Sequence, residues 1–187
     1  MKRLANLFMG LVFATVPILG GCGGSTLTWQ EEVKLLDGRV ITVTQKRRYE
    51  SVYTGSNTGN LPREYWLAFK LPEFGDKEVI WHENARPLVL NIYQGTLYLV
   101  GTPPTGREFI QYGSPSPGYV QFKFMNDRWQ RITFAEIPKA IYDGNLLISN
   151  EPPNSLKLVS LAAKAEEMKS DTISGFYKKL DPKWIID

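Results

Sequence analysis

The chain has 187 residues, with 22 Lys+Arg against 19 Asp+Glu, one histidine and one cysteine. A single Cys excludes an intramolecular disulfide, and one Cys with one His leaves too few soft ligands for an ordinary zinc site. A net charge of +3 with no clustered basic face argues against nucleic acid as a partner.

In chain order, residues 1–21 read as a signal peptide: Lys2 and Arg3 give a short positive end, and residues 4–19 form an apolar run too short to span a bilayer comfortably. Removing this leader takes away two bases and no acid. That leaves 20 Lys+Arg against 19 Asp+Glu and a net charge near +1. Leu19-Gly20-Gly21-Cys22 resembles the bacterial lipobox, in which cleavage falls before the cysteine, here between Gly21 and Cys22. The resemblance to bacterial lipoproteins implies acylation of Cys22, with palmitate among its chains. The modified sulfur is then a thioether and cannot oxidise to a disulfide. The alternative is an ordinary secretory leader that leaves Cys22 a free thiol. In lipoproteins an aspartate after the cysteine goes with inner-membrane retention. Gly23 in that place implies the outer membrane, facing the periplasm. Residues 22–27 make a short tether, and residues 28–187 are read as one domain of a size that supports a real core.

Strand periodicity dominates the remainder. Trp29, Val33 and Leu35 share one parity, and a three-residue loop Leu36-Asp37-Gly38, with Gly38 left-handed, pairs Leu35 with Arg39 and keeps one apolar face. Glu31 intrudes on that face and needs a partner or a position near the strand's edge. A second hairpin over residues 88–100 turns at Gln94-Gly95, pairing Ile92 with Leu97 and Leu90 with Leu99. A third over residues 119–134 turns near Asn126-Asp127 and sets Val120, Phe122 and Phe124 on one face. Ile132 and Phe134 join that face if the loop is odd in length. Further strands are expected at 65–71, 78–81, 108–112 and 146–149, separated by Pro- and Gly-rich loops.

After Pro153, Leu158, Leu161, Ala162, Ala165 and Met168 recur at helical spacing, with Lys157, Lys164, Glu166 and Glu167 elsewhere. This predicts one amphipathic helix over about 155–169, capped by Asn154 or Ser155. A tail over residues 173–180 ends before Pro182, and Trp184-Ile185-Ile186 is expected to dock back on the body. The fold class is therefore mainly β, antiparallel hairpins forming a sandwich or barrel-like sheet with one C-terminal helix. The stretches EEVKLLDGRVITV, RPLVLNIYQGTLYLVG and YVQFKFMNDRWQRI are similar to uncharacterised lipoproteins of proteobacteria, a resemblance that lends no catalytic residue.

Chemistry is sparse. His82 as a base needs a helper, and Glu83 points to the other face of a strand. The loop GSPSPG lacks the Gly-x-Ser-x-Gly elbow, and no glycine loop opens a helix to cradle phosphate. Glu31, Glu32, Glu64, Glu83, Glu108 and Asp127 are the acids available for paired-carboxylate chemistry. Trp29, Trp66, Trp81, Trp129 and Trp184 are core anchors or, with Tyr112 and Tyr119, a binding surface. Tyr112, Tyr119 and Trp129 are the residues chosen for that surface. Lys46-Arg47-Arg48 is either a solvated strand end or a contact for lipid phosphates. The expectation is a lipid-anchored, non-catalytic binding or accessory component of the cell envelope, without cofactor or metal. It would have the membrane and an envelope protein as partners. Its rivals are a glycan- or lipid-binding lipoprotein and an envelope hydrolase working through paired carboxylates.

Overall fold

The computed structural model describes residues 24–53, 55, 58–75, 77–147, 158–169 and 175–186. The signal peptide, Cys22 and Asn154-Ser155 therefore lie outside the described residues.

The strands are β1 (Thr26–Lys34), β2 (Val40–Tyr53), β3 (Thr58–Phe69), β4 (Val79–Glu83), β5 (Arg86–Tyr93), β6 (Thr96–Thr102), β7 (Val120–Met125), β8 (Arg128–Ile132) and β9 (Leu158–Val159). The helices are α1 (Gly106–Gln111), α2 (Leu161–Lys169) and α3 (Gly175–Lys178). One sheet runs β4-β3-β2-β1-β9 and the other β5-β6-β7-β8; every pairing is antiparallel except that of β1 with β9. The two pack as a sandwich, the mainly β class read from the sequence.

The first hairpin closes as its pattern dictates. Lys34 pairs with Val40, the Leu35 and Gly38 amides donate to the Arg39 and Leu35 carbonyls, and Gly38 sits at φ 89°. The second pairs Leu90 with Leu99 and Ile92 with Leu97, turning through Gln94 and Gly95, both at positive φ. In the third, Asn126 and Asp127 alone form the turn, both at positive φ, and Met125 pairs with Arg128. A loop of two is even. Trp129 therefore stands opposite Phe124, and Ile132 opposite Gln121 on the other face.

Between the sheets lies a core that includes Val33, Val43, Tyr65, Leu67, Trp81, Leu90, Leu99 and Phe122. The far face of the second sheet is covered as well. There Leu88, Val89, Val100 and Tyr119 pack under the 3-10 turns Phe134–Glu136 and Lys139–Ile141, with the residues beside them, and under the C-terminal tail. A bulge in β5 between Pro87 and Val89 lets consecutive Leu88 and Val89 both face that layer.

Three expected elements differ. Residues 108–112 are not a strand: 108–111 belong to α1, and Tyr112 caps its end ahead of Gly113 at φ 81°. The cause is Glu108, whose buried carboxylate meets Arg63 of β3, a contact that alternation of residue type cannot reveal. Leu146 and Leu147 lie outside any strand, and 148–149 lie outside the described residues. The C-terminal helix begins only at Leu161, since Leu158-Val159 pairs with Gln30-Glu31; Ser160 Oγ accepts from the Ala163 amide in the capping place. Among the described side chains of α2 the buried one is Lys164, while Ala162 and Ala165 of the expected apolar stripe are exposed.

Candidate functional site

Of the three residues chosen as a surface, Tyr119 is a correction: it is wholly buried. Trp184 of the tail lies with its ring 4.7 Å away, Phe134 stacks at 5.6 Å, and the Asp181 amide donates to the phenol oxygen at 3.0 Å. Burial pushes the phenol up to about 12. The tail docks here as its composition predicts, because Gly118 leaves room for Ile186 and Trp184 and its amide donates to the Trp184 carbonyl at 3.0 Å.

Tyr112 and Trp129 are half-buried and turn their polar ends inward. Tyr112 donates to Glu83 at 2.9 Å and accepts from the Asn84 amide at 3.1 Å, and burial, then the Glu83 charge, raises its phenol. Trp129 Nε1 donates to the Ile80 carbonyl at 2.9 Å. Both residues thereby join the second sheet and the loop after α1 to β4. They close the side of the sandwich where β4 and β8 are the outer strands.

An aromatic that does stand on an open face is Trp66. From its two flanking strands, Lys46 places its ammonium 4.7 Å from the ring centre and His82 stacks at 4.2 Å. His82 Nε2 lies 3.1 Å from Glu64 Oε2, and Arg48 binds the other oxygen of that carboxylate through Nε at 2.9 Å. The Arg48 guanidinium, then the His82 contact against a little burial, holds Glu64 below the usual carboxylate range. His82 therefore has an acid helper that the sequence did not disclose, because it comes from the neighbouring strand. The pair lies on an open sheet face rather than in a cleft, and both sides of the indole are already flanked. It is a polar aromatic ladder suited to contact more than to water-excluded catalysis.

The basic run does not behave as a solvated strand end. Alternation sends Lys46 and Arg48 outward and Arg47 into the core. There its guanidinium lies 5.1 Å from the rings of both Trp29 and Tyr65, and Nη1 donates to Tyr49 at 3.2 Å. Nearby, Arg63 ties Glu50 at 2.5 Å and Glu108 at 3.0 Å, fastening α1 to β3.

The third setting is the junction of β1, α2 and the Gly144–Leu147 segment. Glu31 is wholly buried and has the partner its place demands: Gln45 Nε2 donates at 2.5 Å, the Leu147 amide at 2.9 Å, and Lys164 Nζ stands 3.5 Å away. Burial pushes the Glu31 carboxyl up and the Lys164 ammonium down, each opposed by the other's charge. An open cleft of about 200 Å³ lies beside Lys164, lined also by Leu146, Leu161, Ala165, Lys34 and Glu167. Sequence reasoning placed Lys164 off the apolar stripe of the helix. The available signal was Glu31 itself, a carboxylate on an apolar face that requires a countercharge.

Of the other candidate acids, Glu32 accepts the Leu161 amide, Glu83 serves Tyr112 and Glu108 serves Arg63, while Asp127 is exposed in the turn between β7 and β8. Among the described residues no group of three or more His, Cys, Asp or Glu could hold a metal ion, and no helix is long and apolar enough to cross a membrane. No protein-family model matches the chain, nor does any curated protein or solved structure.

Proposed function

We propose that this chain is an exported lipoprotein, anchored through acyl chains on Cys22 to the outer membrane and facing the periplasm, where it binds or holds an envelope partner without catalysis. The observation that carries the reading is the leader itself, with Lys2-Arg3, the apolar run and Leu19-Gly20-Gly21-Cys22, followed only four residues after the cysteine by the first strand at Thr26. Several acyl chains on one residue suffice for firm attachment. The ladder Lys46-Trp66-His82 with Glu64 and Arg48 supplies an exposed face of mixed charge and aromatic character of the kind protein contacts use.

Labelled palmitate tests the anchor: uptake by the native chain and its loss in Cys22→Ala is the expected result, and uptake by the variant would overturn it. Photo-crosslinking from positions 46 and 82 in intact cells tests the contact face. A discrete protein adduct supports the accessory role, and its absence with reactive probes argues against it. A second reading, a lipid- or glycan-binding lipoprotein, is favoured by the apolar lining of the cleft beside Lys164. It requires saturable binding that Ala165→Trp, filling the cleft, abolishes.

A further inference from the structure

We propose that the β2–β3 hairpin arm, with α1 beside it, is the part of the domain that rests on the lipid surface, the Tyr53 ring lying in the headgroup layer. The proposal rests on the Cys22 anchor above and adds an orientation to it.

β2 and β3 are much longer than their neighbours. β1 reaches only as far as Arg48, and β4 pairs with β3 only from Tyr65 onward. Residues 49–53 and 58–62 therefore continue past the sheet as a two-stranded ribbon, about 17 Å long at the usual rise per residue. The chain ahead of β1 runs along the base of this ribbon. The Tyr49 amide donates to the Ser25 carbonyl at 2.8 Å, and Gly24 passes so close that a Cβ there would collide with the Tyr49 carbonyl oxygen. Cys22 is two residues further on, no more than about 7 Å along even a fully extended chain. Acyl chains on Cys22 are thus held at the end of the sandwich from which the arm projects, and the opposite end is turned away from the membrane.

The surface chemistry of that end agrees. Among the described large apolar side chains the two most exposed are Tyr53, at 77%, and Ile110, at 72%. Both are here, for α1 is fastened to the base of the arm by Arg63 with Glu108, and Arg107 Nη1 approaches Glu50 of the arm at 3.5 Å. Tyr53 has also settled its polar end. Its hydroxyl donates to the Gly55 carbonyl at 2.8 Å, so the ring can leave water without stranding a donor. Tyrosine is a favoured residue at the membrane–water interface. The half-exposed Arg107 guanidinium on the same side is placed to meet phosphate.

The test uses the full chain, processed and acylated in cells and reconstituted into vesicles of phosphatidylethanolamine and phosphatidylglycerol. A thioether at Cys22 does not react with thiol probes, so Tyr53→Cys, Ile110→Cys and Lys77→Cys each offer one labelling site for an environment-sensitive fluorophore. Lys77 is exposed in the connection between β3 and β4, at the opposite end. The expected result is blue-shifted emission and about two-fold quenching by bromine-labelled acyl chains at 53 and 110, with neither at 77. Water-like emission at 53 and 110 in the acylated protein overturns the orientation and leaves the anchor standing. A blue shift that grows with protein density and resists bromolipid means contact between copies, and also overturns it. A free Cys22 thiol, seen by mass in the unsubstituted chain, removes the anchor and the orientation together.

Discussion

Glu31 of β1 and Lys164 of α2 face each other at 3.5 Å with both side chains buried, and burial displaces each away from its charged form. Desolvation therefore outweighs their mutual attraction. The pair ties α2 to the sheet, yet it is not a source of stability over an apolar pair of equal volume. Lys164→Met alone strands the carboxylate and should cost about 3 kcal/mol, whereas Glu31→Gln with Lys164→Met should fall within about 1 kcal/mol of the parent. Urea unfolding of the two in a Cys22→Ala background reads the difference. Equal losses would mean that the charges act independently.

The same pair gives stability two opposed slopes with pH. Glu31 in the folded chain holds its proton above the ordinary value of 4.5, so the folded state binds more protons than the unfolded one there, and stability falls as pH rises from 4.5 to the folded value. Lys164 titrates below its ordinary 10.5, so between its folded value and 10.5 the unfolded state binds more protons and stability rises with pH. Glu31→Gln should abolish the acid-side decline. Its persistence at full size would assign the slope to another group.

Asn145 does for β5 what a neighbouring strand would do. Its amide group accepts from the Leu90 amide at 2.9 Å and donates to the Leu90 carbonyl at 2.7 Å, and it also donates to the Lys34 carbonyl of β1 at 3.1 Å. It so links the two sheets, while its own carbonyl receives Lys164 Nζ at 2.6 Å. Asn145→Ala leaves a part-buried strand edge unmatched and should cost about 3 kcal/mol. Asn145→Asp, which sets a carboxylate against two carbonyls, should cost more. Thermal unfolding ranks the two, and faster exchange of the Leu90 amide locates the defect.

How far the sequence discloses this structure follows the range of the interactions. Turns are local, so Leu36-Asp37-Gly38 and Gln94-Gly95 are readable from a few residues, and their registers with them. The parity of the third hairpin depended on one loop residue more or fewer, which Asn126-Asp127 resolve by both taking positive φ. The errors lie where a polar residue is buried by a distant partner. Glu108 makes a helix of an expected strand because Arg63 waits for it, and Lys164 turns α2 about its axis because Glu31 does. Tyr119 looked like surface beside a proline-rich loop, but the tail brings Trp184 over it from 65 residues away. The ladder around Trp66 is also assembled across three strands. No spacing within one strand announces it.

Gly24 is the residue that allows the chain leading from Cys22 to lie against the arm. Gly24→Ala puts a methyl into the Tyr49 carbonyl, so the segment must lift away. Nothing in the core depends on this contact, and global stability should change by less than about 0.5 kcal/mol. Amide exchange at Tyr49, whose partner is the Ser25 carbonyl, should nevertheless accelerate markedly. Unchanged protection at Tyr49 would show that the segment accommodates the methyl in place.

Glu64 offers a measurement on the ladder itself. Its carboxyl is held below 4.5 chiefly by Arg48, so the stabilisation it contributes is fully present above 4.5 and is lost as pH falls through the lower, folded value. Arg48→Met should move the Glu64 midpoint upward toward 4.5 and flatten the acid limb of the stability profile, while His82 keeps its place on the Trp66 ring. The side-chain carboxyl resonance of Glu64, followed by NMR through the acid range in both proteins, reads the shift directly. An unmoved midpoint would make His82 or the sheet surface, rather than the guanidinium, the partner that holds the charge. The ladder would then have to be redrawn around the imidazole, which β4 brings onto the Trp66 ring of β3.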